Sequence, residues 1–330
     1  LFVVGIVDIQ FLFKNFINIS SVYLLTEIFV IFVLILSIRY ILEERNKKFI
    51  RDAFSHYLAP QVVDYVLKDP SKLIIGGERK ELSVLFTDIR GFTTMSEDMD
   101  PKILSNFLNE YLTAMTEIIF EYGGTLDKYI GDAVMAFWGA PIYRADHAFQ
   151  GAMAALHMQK KMGELQAGFH QKYGMKLEMG VGLNSGMVSV GNMGSQKIFD
   201  YTVIGDHVNL ASRLEGLNRI YGTGVLCSQF TLDAIPESQK NQVHFRKIDT
   251  VIVKGKTSAI EIIELSLDPI NPEAYSLFQS GREKFKNRHW DQAIEDFKNA
   301  DIAYFKAHKK ADPVCMLFIE RAEKFKIHPP

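Results

Sequence analysis

The chain is most constrained by two carboxylates that its pattern sets at the tips of strands. Leu82 to Phe86 is an apolar, partly β-branched run that reads as a buried strand. It leads into Phe86-Thr-Asp-Ile-Arg-Gly-Phe-Thr-Thr94, so Asp88 stands at the strand end and Gly91 turns the chain. An acid held that rigidly suits a hard cation such as Mg²⁺. Alone, it reads equally well as a helix or turn cap. A second acid decides against the cap. Thr125 to Trp138 alternates on both sides of Gly131-Asp132 and reads as strand, tight turn, strand, with Asp132 at the turn. Two carboxylates from two strands hold two metal ions, about 4 Å apart, around a phosphate.

Four segments follow from composition: a membrane segment over 1–42, an amphipathic helical linker over 43–75, a catalytic segment over 76–267 and a helical tail over 268–330. Val22 to Leu42 has the ~20-residue length of a bilayer span. Its uninterrupted stretch Phe29 to Leu36 has no polar face, which argues against a buried core helix. Lys14 stands nearly alone before it, and Arg39, Arg45, Lys47, Lys48 and Arg51 follow, a bias that puts the C-terminal side in the cytoplasm of a cell-membrane protein. Leu1 to Phe13 is also apolar, and whether it forms a second span stays open. The chain opens on Leu1 rather than Met, which reads as a piece of something longer, and no cleavable signal pattern is evident.

In the linker, Phe49, Ile50, Phe54, Tyr57 and Leu58 fall at helical spacing; Pro60 breaks the helix, and Val62, Val63, Val66 and Leu67 resume it. Pairing with a second copy and packing on the chain's own domain are equally good readings of that stripe. The net charge of −2 gives no argument for a nucleic-acid partner. Cys227 and Cys315 have neither metal-ligand nor disulfide-framework spacing, which suits a reducing compartment.

Within 76–267, Pro101 opens a helix, another covers about 145–173, Leu177 to Leu183 is a strand, and Asp206 caps a helix reaching Tyr221. Short strands follow near Val225, over 243–248 and 251–253, and over 260–265. This α+β order predicts a mostly antiparallel sheet with helices on one side. In the tail, Tyr275, Phe278, Gly281, Phe285, Trp290, Ala293, Ile294 and Phe297 recur as in a tetratricopeptide-type helical hairpin, with one further helix. A single such unit cannot bury its own face and must dock on the catalytic segment or on a partner.

Asn209 and Arg213 are four apart and share a helix face, an arrangement that suits a ribose and a phosphate. An ordinary surface pair has the same spacing. Lys254 and Lys256 flank Gly255 and suit a polyphosphate tail, as they suit a solvated turn.

Taken in order, Gly77-Glu-Arg-Lys, Phe-Thr-Asp-Ile-Arg-Gly-Phe-Thr, Lys-Tyr-Ile-Gly-Asp-Ala-Val-Met-Ala and Val-Asn-Leu-Ala-Ser-Arg make the stretch from Gly76 to Leu265 resemble the class III adenylate and guanylate cyclases. The resemblance implies a ferredoxin-like βαββαβ-type domain that acts as a homodimer, with active sites at the interface. Asp88 and Asp132 would bind two Mg²⁺ or Mn²⁺ per site, with the Ile89 carbonyl as a further ligand. The other chain would supply Lys128, Thr202, Asn209, Arg213 and Lys254 to bind ATP. Lys128 stands where members read adenine N1, and guanylate cyclases usually carry Glu there. Thr202 stands where many adenylate cyclases place Asp, and threonine resembles the subclass that includes bicarbonate-responsive enzymes.

The implied reaction is attack of the ribose 3′-hydroxyl on the α-phosphorus with loss of pyrophosphate. Arg213 would stabilise the α-phosphate, Asn209 would orient the ribose and Lys254 would hold the β- and γ-phosphates. No His or Glu is placed as general base, which leaves solvent, substrate phosphate or metal-bound hydroxide. The rivals are a guanylate cyclase, a nucleotide-binding pseudocyclase and a tetratricopeptide scaffold with a vestigial enzyme. A split site also implies that reorienting the 22–68 helices would open or close both sites together.

Overall fold

The computed structural model describes residues 21–54, 59–69, 75–97, 99–174, 177–252 and 259–329. The stretch Leu1–Phe13, left open as a second span, and Lys254 and Lys256, read as candidates for a polyphosphate tail, lie outside the described residues. The chain divides into two compact units, Leu1–Lys68 and Asp69–Pro330.

In the first unit, α1 (Ser21–Phe54) is one uninterrupted helix that joins the apolar stretch to the charged stretch after it. At 1.5 Å per residue it is about 50 Å long. Ile28 to Leu36 are all exposed, so apolar side chains are bare around the whole circumference. Among the described residues this is the one helix long and apolar enough to cross a membrane, by length and composition. Pro60 opens α2 (Pro60–Lys68), where its missing N–H costs nothing.

The second unit is a mixed α+β domain. Its strands are β1 (Gly76–Ile89), β2 (Thr125–Ile130), β3 (Ala133–Trp138), β4 (Met179–Gly194), β5 (Phe199–Ile204), β6 (Val225–Ser228), β7 (His244–Val251) and β8 (Ile260–Ser266). They form one eight-stranded sheet in the order β2-β3-β1-β4-β6-β8-β7, with β5 paired to β4 off that path. Only β4–β6 is parallel; the other pairings are antiparallel. The helices are α3 (Phe92–Glu97), α4 (Pro101–Glu121), α5 (His147–Tyr173), α6 (Asp206–Tyr221), α7 (Gln229–Ala234), α8 (Pro272–Lys286), α9 (Trp290–His308) and α10 (Pro313–Ile327).

Strand alternation sends Leu85 and Ile89 into a core under α4 and α5, and Leu82 and Val84 into a second core with Val208 and Ala211 of α6. Helices therefore cover both faces of the sheet, not one. Leu82–Leu85 of β1 and Met179–Ser185 of β4 are buried without alternation, so the central strands have no wet face there. Two smaller differences concern boundaries. β4 runs unbroken from Met179 to Gly194, well past the Leu177 to Leu183 stretch read as a strand, and Gly205 rather than Asp206 sits at the N-cap of α6, with Asp206 in its first turn.

The tail docks on its own domain. Phe278, Phe297 and Phe318 join Leu210, Leu214 and Tyr221 of α6 and Ile248, Ile260 and Ile262 of the sheet in one core. At its centre Arg246 donates to both oxygens of Asp312, at 2.5 and 2.9 Å, and its Nε donates to Glu264. Burial alone would raise the Asp312 carboxyl; Arg246 more than offsets this and holds it below the usual carboxylate range. Tyr221 and Arg321 both donate to Asp249, which ties α10 to the C-terminal end of α6.

Candidate active site

The two acids meet at the end of β1. Gly131 takes φ 67° with Asp132 beside it, the geometry of a two-residue turn whose first position needs positive φ. That turn carries Asp132 back over β1, where the Ile89 N–H donates to Asp132 Oδ2 at 2.9 Å. The floor beneath is fixed. Val134 N–H donates to Thr87 Oγ1 at 3.3 Å, Thr87 Oγ1 is bonded to Tyr111 Oη at 3.3 Å, and Tyr111 Oη donates to Met179 Sδ at 3.2 Å.

Burial, and then the charge of Asp132, push Asp88 up to about 6. Glu215 on α6 faces the same corner. Burial and the charges of Asp88 and Asp132 push it up to about 7, with Arg90 opposing. Among the described residues no three His, Cys, Asp or Glu side chains come together as a metal-holding group. Two oxygen donors that repel each other at a rigid strand end are chemically suited to a hard divalent cation. The Ile89 carbonyl belongs to the same strand end.

Lys128 and Thr202 come together a few residues away through a residue that sequence reasoning missed. β2 is bulged against β3 between Leu126 and Lys128, so Asp127 is the extra residue. Its side chain is wholly buried. The Thr202 hydroxyl donates to Asp127 Oδ2 at 2.6 Å, and Lys128 Nζ lies 3.3 Å from Oδ1. Lys128 also lies 3.8 Å from Asp200. The available signal was an Asp inside a strand, where that residue is normally depleted.

Asn209 and Arg213 sit one turn apart on α6, Asn209 exposed and Arg213 half-buried. A Cβ on Gly182 would lie 2.2 Å from the Glu215 nitrogen and 2.3 Å from the Ala211 carbonyl, so α6 reaches β4 only because that position is bare. The face of α6 that makes this approach carries Ala211, Glu215 and Asn218. At about 100° per residue, Asn209 and Arg213 fall on the opposite side. No hydrogen bond or ion pair among the described residues joins Lys128, Thr202, Asn209 or Arg213 to Asp88 or Asp132.

An eight-stranded α+β sheet with paired acids at one strand end and an Asn/Arg helix laid across it defines a nucleotide cyclase domain. The chain belongs to the adenylate and guanylate cyclase catalytic domain family, whose profile matches residues 77–265. The helical tail lies beyond that match. Over 223 residues the chain is 36% identical to an adenylate cyclase of Anabaena cylindrica, covering 66% of this chain and 42% of that protein. Among solved structures it resembles the adenylyl cyclase CyaB from P. aeruginosa, with 36% identity, TM-score 0.54, and 58% of this chain and 96% of that chain covered. It resembles the guanylyl cyclase Cya2 almost equally, with 35% identity, TM-score 0.53, and 58% and 94% covered. The chain spans less than half the length of the first curated relatives it matches.

Proposed function

We propose that this chain is an adenylate cyclase, converting ATP to 3′,5′-cyclic AMP and pyrophosphate at two equivalent sites shared across a homodimer. The observation that carries the reading is the division of α6. Its inner face lies toward the chain's own acid corner, while Asn209 and Arg213 face away and are available to a second chain. Asp88 and Asp132, with the Ile89 carbonyl, would hold two Mg²⁺ or Mn²⁺. Bound there, the cations would acidify the ribose 3′-hydroxyl and neutralise the triphosphate.

Arg213 presents a planar fork to the α-phosphate as charge grows on it, and Asn209 orients the ribose for in-line attack. Lys254 is proposed to hold the outer phosphates. The resemblance to both an adenylyl and a guanylyl cyclase leaves the base to local chemistry. Lys128 is a donor suited to adenine N1, and Thr202 is suited to the adenine amino group. The bare apolar circumference of α1 supports a membrane anchor, and the basic residues after it support a cytoplasmic catalytic unit.

The test is direct. The full chain in lipid nanodiscs is given ATP or GTP with Mn²⁺ or Mg²⁺, and the product is identified by mass. Cyclic AMP from ATP is expected. Cyclic GMP would keep the family and overturn the base assignment, and no product from a verified dimer would favour a nucleotide-binding pseudocyclase. Asp88→Ala and Arg213→Ala chains, each inactive alone, should recover part of the activity when mixed. Failure to recover in a demonstrated heterodimer would sink the shared site.

A further inference from the structure

Threonine is ambiguous as a reader of bases, because its hydroxyl both donates and accepts. Adenine presents an acceptor at N1 and a donor at its exocyclic amino group. Guanine presents the reverse, a donor at N1 and an acceptor at O6. A freely rotating Thr202 would serve either purine. In this chain it does not rotate freely. It is 8% exposed, and its one proton is committed to Asp127 Oδ2 at 2.6 Å.

Asp127 is built into that position. The β2 bulge places it as the extra residue, its side chain is wholly buried, and its other oxygen lies 3.3 Å from the Lys128 ammonium. The Val203 backbone N–H bonds it as well. Burial raises its carboxyl, and the bonds from Thr202, Lys128 and Val203 work against that rise.

We propose that Asp127 is a positioning residue that sets the purine preference of the site. By holding the Thr202 proton and steadying the Lys128 ammonium, it leaves one outward acceptor and one outward donor, the complement of adenine and the opposite of guanine. The proposal rests on the cyclase reading above. It assigns the discrimination to a third residue that never touches the base.

The test compares kcat/KM for ATP and GTP in the wild-type chain and in Asp127→Asn. The neutral amide can turn its NH₂ toward Thr202, releasing the hydroxyl to donate to O6. The ATP-to-GTP ratio is expected to fall about tenfold or more. A merely structural role would weaken both nucleotides alike, and an unchanged ratio overturns the proposal. In a Thr202→Val background, Asp127→Asn should not shift the ratio further, because the two act through one hydroxyl.

Should Asp127→Asn fail to fold, the wild-type chain decides. Purine riboside triphosphate, which lacks the amino group, should be used about 10-fold or more less well than ATP. Equal use means that Thr202 is not a committed acceptor and overturns the proposal. A wild-type chain that cyclises nothing overturns the cyclase reading instead. Asp127 is then judged by the relative binding of fluorescent ATP and GTP analogues to the two chains, where an unchanged ratio again counts against it.

Discussion

Two buried acid clusters in this protein are opposites. At the end of β1, Asp88 and Asp132 face each other with Glu215 nearby, and burial and neighbouring negative charge drive the Asp88 and Glu215 carboxyls upward. In the tail core, Asp312 is buried more deeply still and is held low, because Arg246 meets both of its oxygens. A buried carboxylate that serves only the fold is paired within the chain. One left to repel its neighbour marks where the fold is incomplete without a ligand. Asp127 lies between these extremes, raised by burial yet bonded by Thr202, Lys128 and Val203.

The largest effect should come from the unpaired cluster. Asp88→Asn should lower cyclase turnover by about 10³-fold or more, the loss of a group that acts on transition-state charge. It should leave the metal-free melting temperature unchanged or higher, since a repulsion is removed. Thermal melts in EDTA beside a product assay check both halves; a strongly destabilised variant would contradict the contrast.

Asp312→Ala should do the reverse. It leaves two nitrogens of the buried Arg246 guanidinium without their acceptor, with Glu264 still on its Nε, and should cost about 3 kcal/mol of stability, measured by denaturant unfolding. Because the tail core includes Leu210, Leu214 and Tyr221 of α6, some activity should fall with it.

Gly182→Ala sharpens the comparison by moving the helix rather than a charge. A methyl there meets the α6 backbone and should cost about 1–3 kcal/mol. Its effect on kcat should exceed its effect on KM, as expected when positioning is disturbed.

The smallest effect is a pH dependence of opposite sign in the two clusters. Asp88 is raised from 3.8 to about 6, so in the metal-free chain the cost of its buried charge grows as pH rises from about 4 to about 6 and is complete above that. Asp312 is lowered, so its contribution is present above its unfolded value and is lost as pH falls below about 4. Saturating Mn²⁺ should reverse the slope between pH 4 and 6, because the cation needs the deprotonated carboxylate. Melting temperatures across pH, with EDTA and with Mn²⁺, test this, and parallel curves would refute it.

The sequence by itself determined what depends on near neighbours. The strand ending at Asp88, the turn presenting Asp132, the α6 spacing of Asn209 and Arg213 and the helical hairpin in the tail are legible because strand and helix periods and glycine turns act within a few residues. Only the tertiary structure decided the rest. The bulge that buries Asp127, its bond to Thr202 across 75 residues of chain, the helices on both sheet faces and the docking of the tail on α6 depend on which surfaces meet. Periodicity says which face of an element is apolar. It does not say what that face will cover, or where one extra residue will turn a side chain from solvent to the interior.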